Sequence, residues 1–469
     1  MRAYIPKFIR AFAQYLLYYA RLFPLYFSLE LIGVCSGLLT AAALLGLMAM
    51  PRAFFYFLVL GTGLAYPLVP NAVIAILVYR QLRDDRSGVS QGRFSSSYRL
   101  DSTSIKALID QFRQWWTPET GGCHCHIFET EQAGASLTHL AVWSPEVNRE
   151  LLFDDDATSR WKFRVNKSLK WSRLNAISRD WMARRTLLMF HIFDGIRRGK
   201  IVSDDKKIGL SDTLVAGAGE VSLEVFPISF FDSLLTNGAA GRILVTPLLP
   251  RSIDFRQLFP IKGDTPALLQ LSECTELANY IGISTLLISG DQQKILYIPR
   301  QSHLNQQSGG LLAPSGSGSL DWEDLAGSFA RGDDVALTYS MRDTVVRGME
   351  RELREELQSS VDFDSGNSRL KTQIIGYFRV YERAGKPEFV GISVADAVHE
   401  RSSSQQIPHE VHEMKKFSFS NIAEFKAVCM QLLQNRAGLS VPLRMSLLFL
   451  SSTMEDKEGE RRLSEILRL

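Results

Sequence analysis

The segment VVRGMERELREEL, residues 345–357, carries the residue types and spacing best suited to chemistry in this chain. Val346, Met349, Leu353 and Leu357 recur at three- and four-residue steps, the spacing of one apolar stripe on an amphipathic helix. Glu352, Glu355 and Glu356 stand at i, i+3 and i+4, so a helix brings the three carboxylates onto one flank. Carboxylates that close repel one another unless a cation sits among them, and Mg2+ prefers such hard oxygen ligands. A metal held there can bridge to phosphate oxygens. The same pattern also fits a charged surface helix in which Arg351 or Arg354 pairs with the glutamates. Upstream, Ser315, Gly316, Ser317, Gly318 and Ser319 form a Gly-rich segment suited to wrapping phosphate with backbone N–H groups, or else a flexible surface loop.

Other clusters carry less. Cys123, His124, Cys125 and His126 alternate, and on a strand the cysteines take one face and the histidines the other. No second ligand pair follows at zinc-site spacing, so a half-buried strand is expected. His409, Glu410 and His412 form H-E-x-H, one residue short of the H-E-x-x-H of zinc proteases, and no phosphate-binding G-x-x-x-x-G-K-[ST] occurs. Residues 161–185 are basic, with Trp161, Trp171 and Trp181 interleaved. That mix suits nucleic-acid phosphates or anionic lipid, and suits equally a solvated face with the tryptophans turned inward.

These groups need elements to position them. The strings CHCHIFET, THLAVWS, ISTLLIS and KILYIPR read as strands, and VSLEVFPISFFDSLLTNG as a strand passing into a short helix. After the Gly-rich loop comes the carboxylate helix, then a hairpin, IIGYFRVYER–AGKPE–FVGISVAD, and a helix over 421–434. Residues 104–116 read as a helix, and the end of the chain as a charged helix or a frayed end.

The order strand, strand, Gly-rich loop, carboxylate helix, hairpin resembles the Nudix fold. Arg351, Glu352, Leu353, Glu355 and Glu356 match the R-E-U-x-E-E core of the Nudix box. The resemblance implies that Glu352, Glu355 and Glu356 hold a divalent metal against a diphosphate, that Ser315–Ser319 contact the nucleotide, and that Glu355 is catalytic if the domain hydrolyses. The chain also departs from the box. Gln358 and Ser359 stand where the family has Gly and an apolar residue, and Leu337 and Asp343 where it has an upstream Gly and Glu. About thirty residues read as inserted between loop and helix. These departures point to a ligand-binding unit rather than a hydrolase.

The N-terminal part belongs to a different solvent. Residues 31–49 and 54–79 hold no charged side chain, and each run reaches the ~18–20 residues that cross a ~30 Å hydrocarbon core as a helix. Only Met50, Pro51, Arg52 and Ala53 lie between them, so the pair reads as a transmembrane hairpin. Arg2, Lys7, Arg10 and Arg21 precede it and Arg80, Arg83 and Arg86 follow, against Arg52 at the tip. The positive-inside bias places both termini in the cytoplasm. Gly33 and Gly37 form a G-x-x-x-G for close packing within the hairpin or between chains. Pro67, Pro70 and Asn71 interrupt the second run.

The expected organisation is an interfacial segment at 1–24, the hairpin at 25–80, an α/β region at 81–270, a mixed-sheet α/β/α Nudix-like domain at 271–440 and a charged tail at 441–469. The overall charge of +3 is too balanced for binding nucleic acid with the whole surface. Five scattered cysteines argue against a disulfide framework.

Two spans joined to a Nudix-like domain with an altered box resemble the two-transmembrane Nudix effectors of bacterial CBASS anti-phage systems. The resemblance implies a cytosolic domain that binds a cyclic oligonucleotide made by a CD-NTase cyclase. It further implies self-assembly of the chain and disruption of the inner membrane, ending in abortive infection. The other expectation is a membrane-anchored, Mg2+-dependent Nudix hydrolase of a nucleoside diphosphate derivative.

Overall fold

The computed structural model describes residues 124–132, 135–154, 159–167, 204–217, 219–245, 253–255, 277–289, 293–301, 310–325, 338–357, 361–362, 370–396, 398–400, 411–435 and 438–469, with 99–101, 187–188 and 191. The expected hairpin with Gly33 and Gly37, the 104–116 helix and residues 168–185 of the basic stretch lie outside the described residues. Among the described residues no helix is long and apolar enough to cross a membrane. The chain divides into two units, and the second, residues 100–179, 205–243 and 254–469, holds nearly everything described.

Its main sheet is built from alternating and continuous apolar runs. A hairpin of β1 (His124–Gln132) and β2 (Ala135–Trp143) leads into α1 (Pro145–Phe153). The start of α1 is set by Ser144, whose hydroxyl accepts from the Val147 N–H, with Pro145 in the first turn. Then follow β3 (Trp161–Val165), β4 (Lys206–Leu210) and β5 (Val221–Ser229). A reciprocal Ser229–Asp232 capping box opens α2 (Phe230–Leu235). The remaining strands and helices are β6 (Gly282–Ser289), β7 (Lys294–Gln301), β8 (Gly316–Ser319), β9 (Thr338–Ser340), α3 (Met341–Leu357), β10 (Leu370–Val380), β11 (Lys386–Ala395), β12 (Val411–Phe419), α4 (Ile422–Gln434), α5 (Val441–Thr453) and α6 (Lys457–Leu467).

The main sheet runs β12-β7-β6-β11-β10-β2-β1, with β8 beside β6, and β6–β11 is its parallel pair. β11 is buried along its whole length, so its apolar residues do not alternate with exposed ones, and its buried Lys386 and Glu388 pair with each other. One face, with Leu286, Ile288, Val390 and Ile392, packs under α4–α6 through Phe425, Leu447, Leu450 and Leu463. The other, with Ile283, Ile374, Tyr377 and Phe389, packs against α3 and a second sheet through Met349, Trp161, Phe163 and Ile208. The mixed α/β class expected from the sequence is therefore found over the described unit.

Two differences from the expected organisation matter for the site. The second sheet, β9-β3-β5-β4, comes mostly from the intermediate region, and β9 comes from the insertion before α3. β4 is also zipped to the Nudix-like part: the Ile208 N–H donates to the Leu320 carbonyl at 3.2 Å and the Ile281 N–H to the Ile208 carbonyl at 3.0 Å. The 270/271 and 440/441 boundaries thus run through one unit. The end of the chain is not frayed: α5 is buried on most of its surface, and α6 buries Leu463, Ile466 and Leu467.

Candidate functional site: a carboxylate helix on a Gly-rich strand

α3 buries Met341, Val345, Met349, Leu353 and Leu357. Val346, placed on the stripe by the sequence pattern, is partly buried at its edge, and Val345 takes the interior place. The Gly-rich segment that reads as a loop is in fact strand β8, paired antiparallel to β6 from Gly316–Thr285 to Ser319–Gly282. Glycine is needed there for close approach. A Cβ on Gly316 would lie 2.7 Å from the Leu353 Cα and backbone N, and one on Gly318 would lie 2.1 Å from the Glu352 Oε1. Ser315 is fully buried and structural: its hydroxyl accepts from the Leu287 N–H at 2.7 Å and donates to the Tyr297 carbonyl at 2.5 Å.

Arg351 organises one side of the helix. Its Nε and Nη2 donate to both carboxylate oxygens of Asp324, at 3.1 and 2.9 Å, and Nη2 also reaches the Ser319 carbonyl at 2.9 Å. Its Nη1 lies 2.9 Å from Glu352, 3.3 Å from Glu355 and 3.3 Å from Asp321. Burial works against the guanidinium charge, but the Asp324 hydrogen bond and the Glu352, Asp324 and Asp321 charges outweigh it, so the pKa is raised. Burial, with Glu355 beside it, pushes the Glu352 carboxyl up despite Arg351. Glu355 stays 60% exposed.

The Glu356 carboxylate has a different set of partners. It is buried, and its Oε1 accepts from the Ser317 backbone N–H and the Ser317 hydroxyl, both at 3.1 Å. Its Oε2 accepts from the Gln301 Nε2 at 3.1 Å. One side chain of α3 thereby ties β8 to β7.

The upstream carboxylate expected at Asp343 is exposed on the first turn of α3. The acid that pairs with Arg351 is Asp324, six residues after Gly318 as Asp343 is six after Leu337. With Gly318 and Asp324 taken for the expected upstream Gly and acid, the insertion, including β9, falls between Asp324, in the turn after β8, and Arg351. The signal was present as Gly318-x5-Asp324, but hidden by the distance to the helix. Asp321, Lys207 and Gln301 were missed altogether. Lys207, from β4, pairs with Asp321, so the second sheet supplies a cation to this site.

As placed, the three box glutamates do not converge on one point, and among the described residues no group of three His, Cys, Asp or Glu does. The donor chemistry nevertheless suits a hard divalent cation. Asp321, Asp324, Glu352 and Glu355 are served by two cations, Lys207 and Arg351, which leaves the flank net negative. Glu352 and Glu355 are the residues that would hold Mg2+, which when bound supplies a bridge to phosphate oxygens.

Elsewhere, His126 stacks beside the buried Phe128 on one face of β1, the same face ends in the exposed His124, and Cys125 takes the other. Burial pushes the Cys125 thiol up to about 11, and the His126 imidazole is lowered by burial and by Arg444. His409 and Glu410 lie outside the described residues, and His412 is on β12. Trp161 is fully buried in the core of the second sheet, and Arg164 on β3 is paired with Glu224.

No family model and no curated protein matches the chain. Among solved structures, one of a Deinococcus radiodurans protein matches at 16% identity and a TM-score of 0.22, over 36% of this chain and 80% of that one. A NUDIX hydrolase from Alicyclobacillus acidocaldarius matches at 10% identity and a TM-score of 0.26, over 40% of this chain and 96% of that one.

Proposed function

We propose that this chain is a membrane-anchored nucleotide receptor, the effector of a CBASS anti-phage system. Its Nudix-like unit faces the cytoplasm of a bacterial cell and senses a cyclic oligonucleotide made by a CD-NTase. The two N-terminal spans then self-associate and disrupt the inner membrane. The membrane half of this reading rests on the two uncharged runs at 31–49 and 54–79 and on the basic residues outside them.

The observation that carries the receptor half is the engagement of Glu356. A hydrolytic centre works by holding its charged groups preorganised for the transition state. Here the third box carboxylate is committed to Ser317 and Gln301, and the other two share one guanidinium. That arrangement favours binding with rearrangement over turnover. Rearrangement is what a sensor needs, because a ligand shifts an equilibrium only through its different affinities for two states. β9 joins the second sheet to the start of α3, and Lys207 joins it to Asp321. Both contacts connect the site to the region that follows the spans.

The test is titration of the full chain with cyclic di- and trinucleotides, alongside hydrolysis assays on nucleoside diphosphate derivatives with Mg2+. Saturable binding without turnover is expected. Mg2+-dependent turnover lost in Glu355→Gln would replace the receptor with the membrane-anchored hydrolase.

A further inference from the structure

We propose that the turn after α2 is an anion site that takes one phosphate group through Arg242 and Asn279, apart from the carboxylate flank of α3. The turn, residues 236–242, gathers three segments of the chain. The Asn237 Nδ2 donates to the Asn279 Oδ1 at 2.9 Å and to the Arg383 carbonyl at 3.0 Å, and the Asn237 Oδ1 accepts from the Asn279 N–H at 2.8 Å. Asn279, three residues before β6, is fully buried, with a φ of 44° that Asn adopts more readily than most residues. Its carbonyl accepts from the Leu210 N–H of β4 at 3.0 Å. The backbone at Arg242 is fixed by Phe255: the Gly241 N–H donates to the Phe255 carbonyl at 3.1 Å, and the Phe255 N–H to the Arg242 carbonyl at 2.9 Å.

Two donors held by this turn, the Asn279 Nδ2 and the Arg242 Nε, are cut off from solvent and have no hydrogen-bond partner among the described residues. Rotating the Asn279 amide does not relieve this, because its Nδ2 would then face the Nδ2 of Asn237. The Arg242 Nη1 donates to the Gly238 carbonyl at 2.8 Å, which leaves the edge formed by Nε and Nη2. That edge is the fork that binds an oxyanion through two parallel N–H···O bonds. Burial and the neighbouring Arg383 charge lower the Arg242 pKa to about 10, against the raising effect of Glu382. The Glu382 carboxylate is itself held by the His139 Nδ1 at 2.6 Å and the Leu140 N–H at 3.3 Å. A buried cation beside a second cation, with an unpaired amide donor on the same turn, is completed by an acceptor that brings negative charge. A carboxylate has two oxygens and the fork takes both, whereas a phosphate group keeps a further oxygen for the Asn279 amide. The inference goes beyond the receptor reading and stands whatever the α3 flank binds.

The experiment titrates the full chain in detergent micelles with inorganic phosphate, in EDTA and at constant ionic strength set by chloride. Binding is followed by the phosphorus NMR line width and by the rise in melting temperature. Saturable binding is expected in the wild type. Arg242→Lys keeps the charge and removes the fork. Asn279→Asp keeps an oxygen for the Asn237 Nδ2, tolerates the positive φ, and exchanges the unpaired donor for a carboxylate that repels phosphate. Each substitution should weaken phosphate at least about tenfold, the loss of a hydrogen bond to a charged group. Melting in chloride alone checks that each variant is folded, and if one is not, the other decides. A second arm adds phosphatidylglycerol to the micelles: competition with phosphate assigns the site to a lipid headgroup, and unchanged phosphate affinity assigns it to a soluble ligand. No saturable phosphate binding in the wild type, or wild-type affinity in the folded variants, overturns the proposal. The receptor reading is tested separately by cyclic nucleotides, so either can fall while the other stands.

Discussion

Substituting Asp324→Ala tests the pairing across the insertion directly. The Asp324 carboxylate accepts from Arg351 at 3.1 and 2.9 Å and from the Asp321 backbone N–H at 2.8 Å, and its side chain is 4% exposed. Breaking a buried ion pair from one side costs about 3–5 kcal/mol, because the other charge is left uncompensated. Arg351 is less buried and keeps Glu352, Glu355 and Asp321, so the expected loss is about 2–4 kcal/mol. Asp343, the acid at the ungapped box position, is exposed, and Asp343→Ala should stay within about 0.5 kcal/mol. The assay is urea denaturation of the full chain in micelles, followed by tryptophan fluorescence and read as a shift in midpoint at constant slope. A double-mutant cycle with Arg351→Ala then isolates the pair from the loss of the Asp321 contact. If Asp324→Ala loses less than about 1 kcal/mol, or no more than Asp343→Ala, the pairing across the insertion is refuted.

Three further outcomes are expected. Gly316→Ala drives a Cβ into the Leu353 backbone and should cost about 1–3 kcal/mol. Gly318→Ala meets the Glu352 carboxylate, a side chain able to move, and should cost less; the reverse order in denaturation midpoints would contradict the packing of β8 under α3. The half-buried Glu382 accepts from the His139 Nδ1 at 2.6 Å; burial alone would raise its pKa, but the His139 charge and hydrogen bond hold it below the usual 4.5. Its stabilising contribution is therefore complete above about pH 4.5 and lost as the pH falls through the lower folded-state value. Glu382→Gln should flatten that acid limb of the stability curve, and an unchanged limb would show that another carboxylate sets it. Finally, Gly33→Leu with Gly37→Leu should suppress membrane leakage in vesicles while ligand affinity is kept; undiminished leakage removes the G-x-x-x-G contact from the mechanism.

Local patterns carried much of the fold. The strands β1 and β2, the hairpin of β10 and β11, the strands β6 and β7, the step from β5 into α2 and the helix over 421–434 are all legible as runs and periodicities. Asn421 even marks the start of that helix as its cap, accepting from the Glu424 N–H at 2.9 Å. The placement of Glu352, Glu355 and Glu356 on one flank likewise follows from 3.6 residues per turn.

Partners were not legible. Periodicity describes a segment's own conformation, whereas pairing depends on which segments the fold brings together. The string SGSGS reads as a loop because Gly and Ser disfavour strands, yet β6 supplies a ladder and α3 comes so close that Gly is required at Gly316. The insertion between Asp324 and Arg351 leaves the ion pair intact in space while moving its members 27 residues apart in sequence. Lys207 reaches Asp321 from a region whose relation to the helix no local pattern expresses.

By itself, the sequence determined which residues could do chemistry, that three carboxylates share a helical flank, and that two runs are long and apolar enough to span a bilayer. The tertiary structure decided where each carboxylate points: Glu352 and Glu355 to Arg351, Glu356 to Ser317 and Gln301. The physical reason is that a helix sets the azimuth of a side chain from its position alone, but its hydrogen-bond partner is set by whatever donor the neighbouring strands deliver within about 3 Å.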